Sequence, residues 1–167
     1  MKTLSKILIA PLFLFAFLLL SCSSDDEDAK VNEGPSYAIS DLAGTWIATE
    51  IRFSYCGSGT VEPSSVDIIA EGATATMVVQ TTGRFTLTIT FPDDVDDEII
   101  TGKMYFENGE FFAIQFDDDP PDDPTYFGDT LSGNTFTLNG GPETAEFDFD
   151  DDGNEECASV YLKFVRD

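Results

Sequence analysis

Histidine is absent from the 167-residue chain. Ser-His-Asp and Cys-His catalysis are thereby excluded, as is any zinc site with an imidazole ligand, because each needs the side chain that titrates near neutrality. Positive charge is scarce as well: 8 Lys and Arg stand against 32 Asp and Glu, for a formal charge of -24. A surface of that sign repels nucleic acid and anionic lipid and attracts cations or basic partners, so nucleic-acid binding is set aside. Cysteine occurs three times, as Cys22, Cys56 and Cys157. Long apolar runs are missing apart from Ile7 to Leu20, which falls short of the ~20 residues a helix needs to cross a ~30 Å hydrocarbon core. Aromatic residues are plentiful: 15 Phe and 5 Tyr, with many Val, Ile and Leu, argue for a packed structure despite a charge that would otherwise suggest disorder. The carboxylates must then sit mainly in loops and on outward faces.

Lys2 and Lys6 ahead of the apolar run give the layout of an export signal. Leu19-Leu20-Ser21-Cys22 resembles a bacterial lipobox. The resemblance implies cleavage before Cys22, a diacylglyceryl thioether on its sulfur and acylation of the new amino terminus; two or three acyl chains anchor stably where one binds reversibly. Ser23-Ser24-Asp25-Asp26-Glu27-Asp28 follows at once and resembles the surface-export signal of bacteroidete lipoproteins. That implies a lipid-anchored protein of the outer membrane, exposed on the cell surface, with retention on the periplasmic face as the alternative. The same acids also make a solvated tether that self-repulsion extends. The expected division is a signal peptide over 1–21, a lipidated acidic tether over 22–36 and a folded domain over 37–167. Removing the signal leaves six bases (Lys30, Arg52, Arg84, Lys103, Lys163, Arg166) against all 32 acids. With Cys22 consumed by lipid, Cys56 and Cys157 remain as one pair in a compartment that permits disulfides.

From Tyr37 onward, short strand-like runs alternate with turn residues, the pattern of an antiparallel barrel or sandwich. Ile39 to Trp46 opens as a single helical turn leading into a strand over Thr45–Tyr55, and further strands are expected near Ser65–Ala70 and Thr74–Gln80. In the clearest strand Phe85, Leu87, Ile89 and Phe91 alternate with Arg84, Thr86, Thr88 and Thr90, so one face meets a core. Glu98–Glu107 places Ile100, Gly102, Met104 and Phe106 on one face, and Asn108-Gly109 separates it from Glu110–Phe116. An Asn-Gly step between alternating runs signals a hairpin, since both residues accept the positive φ of a type I′ turn. Asp117–Pro124 is excluded from the sheet interior by its prolines and like charges. Strands over Thr125–Leu131, Thr135–Leu138, Thr144–Phe149 and Cys157–Arg166 complete an all-β chain of eight or nine antiparallel strands without an amphipathic helix. An up-and-down barrel, which removes exposed edges, is the expected architecture, with a two-sheet sandwich as the alternative.

Gly44-Thr45-Trp46, with the helical turn before it and Arg166 ending the last strand, resembles the lipocalin-like lipoproteins of bacteroidetes and, more remotely, lipocalins. The resemblance covers roughly Leu42 to Arg166. It implies that Trp46 closes the barrel floor and that Arg166 lies across its ring, a cation–π contact of ~0.5 to 2 kcal/mol. If first and last strands pair antiparallel, facing residues share a constant index sum, which is 212 for residues 46 and 166 and 213 for residues 56 and 157. One closing register with one bulge would produce that difference, so a Cys56–Cys157 disulfide is expected across the seam.

The most motif-like acidic cluster is Asp148-Phe149-Asp150-Asp151-Asp152-Gly153-Asn154-Glu155-Glu156. Asp148, Asp150, Asp152 and Gly153 match the first half of a calcium loop, and Glu155 or Glu156 would have to replace the missing bidentate ligand, since the twelfth position is Ser159. The alternative is a solvated hairpin turn. Pairs of carboxylates are too many to single out a glycosidase couple, and acids on turns lack the water-excluding surroundings that separate two pKa values, so no enzyme activity and no cofactor beyond weak calcium are expected. Glu50 and Arg52, in phase with Trp46, either point into the barrel as a ligand-orienting ion pair or are turned outward by a bulge. The reading is a barrel that binds a small, partly apolar ligand. The competing class is an interaction module filled by its own Phe side chains, whose acidic rim meets a protein or glycan.

Overall fold

A computed structural model of the chain describes residues 30–92 and 96–167. The expected signal peptide, Cys22, the expected tether as far as residue 29 and part of the acidic turn before Glu98 lie outside the described residues. The strands are β1 (Lys30–Val31), β2 (Gly44–Tyr55), β3 (Ser65–Asp67), β4 (Thr74–Val79), β5 (Arg84–Thr90), β6 (Glu98–Glu107), β7 (Phe111–Phe116), β8 (Thr125–Ser132), β9 (Thr135–Gly140), β10 (Ala145–Phe147) and β11 (Glu156–Arg166), with a 3-10 turn over Ile39–Leu42 before β2.

Strands β2, β4, β5, β6, β7, β8, β9 and β11 pair with their neighbours in that order, all antiparallel, and β11 pairs back onto β2. The ring is closed, which establishes the barrel and sets the sandwich aside. Its cause is visible strand by strand. Phe85, Leu87 and Ile89 are buried on β5 while Arg84, Thr86 and Thr90 face water, and Leu87 lies between Met77 of β4 and Ile100 of β6. At the β6–β7 hairpin, Asn108 and Gly109 hold φ values of 53° and 72°, and Glu110 N–H donates to the Glu107 carbonyl at 3.0 Å.

The seam between β2 and β11 carries the register expected of it. Arg166 faces Trp46, Phe164 faces Ala48, and Lys163 faces Glu50, leaving Thr49 as one extra residue on β2. Beyond that bulge the index sum rises by one, up to Ala158 facing Tyr55. Cys56 and Cys157 are joined by a disulfide with a Cα–Cα distance of 5.5 Å, and Cys56 N–H donates to the Cys157 carbonyl at 3.1 Å.

Three short strands extend the ring. β3 pairs with the far half of β2, β10 with the first residues of β11, and β1 with the end of β6. β3 stops short of the expected Ala70 because the Asp67 carboxylate accepts from the N–H groups of Ile51 and Ile69 at 3.2 and 3.1 Å, bending the chain away from the ladder. At the start of β10 the Thr144 hydroxyl takes the place of a carbonyl and accepts from Val160 N–H at 3.2 Å. The domain boundary also needs correction. Residues 30–36 were expected in the tether, yet Lys30 and Val31 pair with Glu107 and Phe106, and Ile39 N–H donates to the Asn32 carbonyl at 2.7 Å. Gly34 lies flat on the Phe106 ring, where any Cβ would collide with it. Residues 30–36 therefore belong to the folded part.

Candidate functional site

One end of the barrel is filled and the other is hollow. At the filled end Trp46, Phe106, Phe112 and Phe136 are fully buried and meet edge to face or tilted, with ring centroids 5.6 Å apart for Phe106–Phe112, 5.9 Å for Phe112–Phe136 and 5.9 Å for Trp46–Phe136. Such offsets suit the ring quadrupoles. The 3-10 turn packs here, with Ile39 and Leu42 at 0 % exposure, and Trp46 Nε1–H donates to the Leu42 carbonyl at 2.7 Å. This is the floor.

Above it opens a cavity of about 490 Å³. Its walls are the inward residues of successive strands, among them Ile51, Met77, Leu87, Ile100, Ile114 and Leu138. Its mouth carries Glu98 at the start of β6 and Glu146, Asp148 and Glu155 from β10 and the turn after it. One side of the mouth is stiffened by stacked rings: Phe53 and Phe147 lie 4.6 Å apart at 17°, Phe149 sits 5.0 Å from Phe147, and Tyr55 lies 6.0 Å from Phe149. The disulfide is next to Tyr55 and fixes the top of the seam.

Arg166 reaches across the floor, its guanidinium carbon 4.3 Å from the Trp46 ring centroid. Glu50 and Arg52 do not line the cavity. The Thr49 bulge reverses the phase of β2, so Trp46 and Ala48 point inward below it and Ile51 and Phe53 above it. Glu50 and Arg52 form a 2.9 Å ion pair on the outer wall, where the Arg52 guanidinium also lies 5.2 Å from the Tyr161 ring centroid.

Of the five carboxylates matched to a calcium loop, the structure gathers Asp148, Asp150 and Glu156, whose ligand oxygens lie within 4.8 Å of one another. Asp152 and Glu155 are not part of that group. The turn satisfies much of itself: Asp148 accepts from the N–H groups of Asp152 and Gly153 at 3.1 and 2.8 Å, Glu156 accepts from Phe149 N–H at 3.1 Å, and Asp152 accepts from the Asn154 backbone and side-chain amides at 2.9 and 2.8 Å.

Sequence reasoning missed two features. Tyr37 Oη–H donates to Asp129 at 2.7 Å, while its ring meets Phe106 at 5.3 Å. Burial and then the Asp129 carboxylate push the Tyr37 phenol far above its ordinary value of 10.0. The available signal was Asp129 standing in phase with Phe127 and Leu131 on an alternating strand. The second is the identity of the mouth acids, since Glu98 and Glu146 resemble many other acids until the barrel end they occupy is known. On the outer wall, Arg84 grips Asp117 through two bonds of 2.7 Å and the Thr101 hydroxyl adds one of 2.6 Å. The Arg84 bonds, followed by Thr101, hold the Asp117 carboxyl below its usual range.

Compared with protein-family models, curated proteins and solved structures, the chain matches none.

Proposed function

We propose that the protein is a non-enzymatic binding barrel that takes a small, partly apolar molecule into its cavity, presented at the cell surface by a lipid on Cys22. The carrying observation is an apolar space of about 490 Å³ open at one end, within the ~300–1,000 Å³ range of small-molecule sites. Its size favours this reading over a barrel filled by its own phenylalanines, whose buried rings crowd the floor and leave the upper part open. The mouth carboxylates are exposed or half-buried, without the dry surroundings in which two acids acquire separate catalytic roles. The anchor and the surface location rest on the lipobox and on the acids behind it. As a lipocalin-like lipoprotein, the chain would join a floor built of Trp46 and Arg166 to a ligand chamber above.

Native mass spectrometry of protein isolated from its own cells is expected to show an added organic mass that organic solvent extracts. Ligand-free protein that also takes up no apolar probe would refute binding. Protease added to intact cells is expected to digest the barrel; resistance until the cells are broken would place it on the inner face.

A further inference from the structure

The cavity is apolar in its depth and anionic at its entrance. Glu98, Glu146, Asp148 and Glu155 all border the mouth, and none of the described lining residues is basic. The side chains of Glu98, Glu146 and Glu155 have no hydrogen bond or ion pair with another described residue. The arginines that would neutralise such a rim are engaged elsewhere: Arg52 with Glu50, Arg84 with Asp117 and Arg166 with the floor. A ligand carrying a carboxylate or phosphate would therefore bring like charge against four acids. A neutral amphiphile would leave their mutual repulsion unrelieved. A cationic group relieves it and accepts no desolvation penalty deep in the wall, because the charge stays at the wet end. The attraction of a cation to these carboxylates is coulombic, so it needs no N–H donor on the ligand and is weakened by salt.

We infer that the occupant is an amphiphilic cation: an apolar body lodged among Ile51, Leu87, Ile100 and Leu138, with an ammonium or similar group held at the mouth by Glu98, Glu146, Asp148 and Glu155. This rests on the reading of the barrel as a small-molecule binder. Charge complementarity identifies the class, and selectivity against fatty acids is its distinguishing consequence.

The test is calorimetric titration of the purified full chain, below micelle-forming concentrations, with probes that share a dodecyl tail and differ in head: dodecyltrimethylammonium, dodecanol and dodecanoate. The ammonium probe is expected to bind about tenfold tighter than the alcohol, with the carboxylate weakest, and the preference is expected to shrink in high salt. Glu98→Gln with Glu146→Gln should narrow the ratio of ammonium to alcohol affinity, and Glu155→Gln alone should narrow it less. Equal affinities for the three heads would overturn the cationic preference while leaving the binding barrel standing. Failure of all three to bind would overturn both readings. Tetramethylammonium, which lacks the tail, should bind far more weakly. Equal binding would move the cation from the cavity to the general acidic surface and end the inference, as would a preference undiminished by the glutamine variants.

Discussion

Arg166 serves the floor of the barrel twice. Its guanidinium lies 4.3 Å from the Trp46 ring and also donates to the carbonyls of Ala43 and Asp41 at 2.7 and 2.5 Å. One side chain from the last strand thus ends the 3-10 turn and covers the indole that the turn positions. Arg166→Ala should cost ~2–4 kcal/mol, from the lost cation–π contact and two charge-assisted bonds. Arg166→Lys should cost about half as much, since a point charge cannot serve both carbonyls and the ring at once. Denaturant unfolding of the two variants checks the order.

The disulfide closes a separation of 101 residues. Replacing Cys56 and Cys157 by Ser should destabilise the domain by up to ~4.7 kcal/mol, the chain-entropy value for a loop of ~100 residues. Adding reductant to the wild type should reproduce the variant's unfolding midpoint. Two free thiols in denatured, unreduced protein, beyond any on Cys22, would contradict the bridge.

Thr49 sets the phase of β2. Deleting it should force a choice between keeping Trp46 beside Arg166 and keeping Cys56 beside Cys157, because the two pairs differ by one in register. The expected outcome is a lower yield of oxidised protein with the Trp46 fluorescence shifted toward that of an exposed indole.

Tyr37 makes stability fall at high pH. Its phenol stays protonated in the folded state well past 10.0, whereas the unfolded chain releases that proton near pH ~10. Stability from this group is complete below pH ~10 and declines above it by up to ~1.4 kcal/mol per pH unit. Tyr37→Phe should lessen the fall on the alkaline limb of the stability profile, burial of the likewise raised Tyr105 accounting for part of what is left, and ultraviolet titration of the variant should show one fewer tyrosine that ionises only on unfolding.

Gly34→Ala tests the N-terminal boundary. A methyl group there would run into the Phe106 ring, so a loss of ~1–3 kcal/mol is expected from overpacking. Gly141→Ala, where nothing lies within 4 Å, should change stability little. Equal behaviour of the two would return residues 30–36 to the tether.

Much of the ring was legible because its signals are local. The alternation of Phe85, Leu87 and Ile89 and the Asn108-Gly109 turn need only neighbouring residues, and the index sums of the two ends made the seam readable across the whole chain. The reading failed where a distant partner decides. Residues 30–36 look like a solvated tether because their polar composition hides a pairing with residues more than seventy positions away. A bulge leaves no mark in composition, so the orientation of Glu50 and Arg52 followed from β2's partner strand. The mouth acids were hidden by abundance: among 32 carboxylates, only the three-dimensional path shows which of them meet around a hollow.

The pairing of Lys30 and Val31 with the Phe106 end of β6 puts the chain's point of entry beside the floor. Fewer than ten residues separate Cys22 from Lys30, a leash of at most ~30 Å when fully stretched. A protein moored by Cys22 would therefore sit with its sealed base toward the bilayer and its opening toward the surrounding fluid. Cargo would be exchanged with the medium, and a lipid would have to leave the membrane before it could enter.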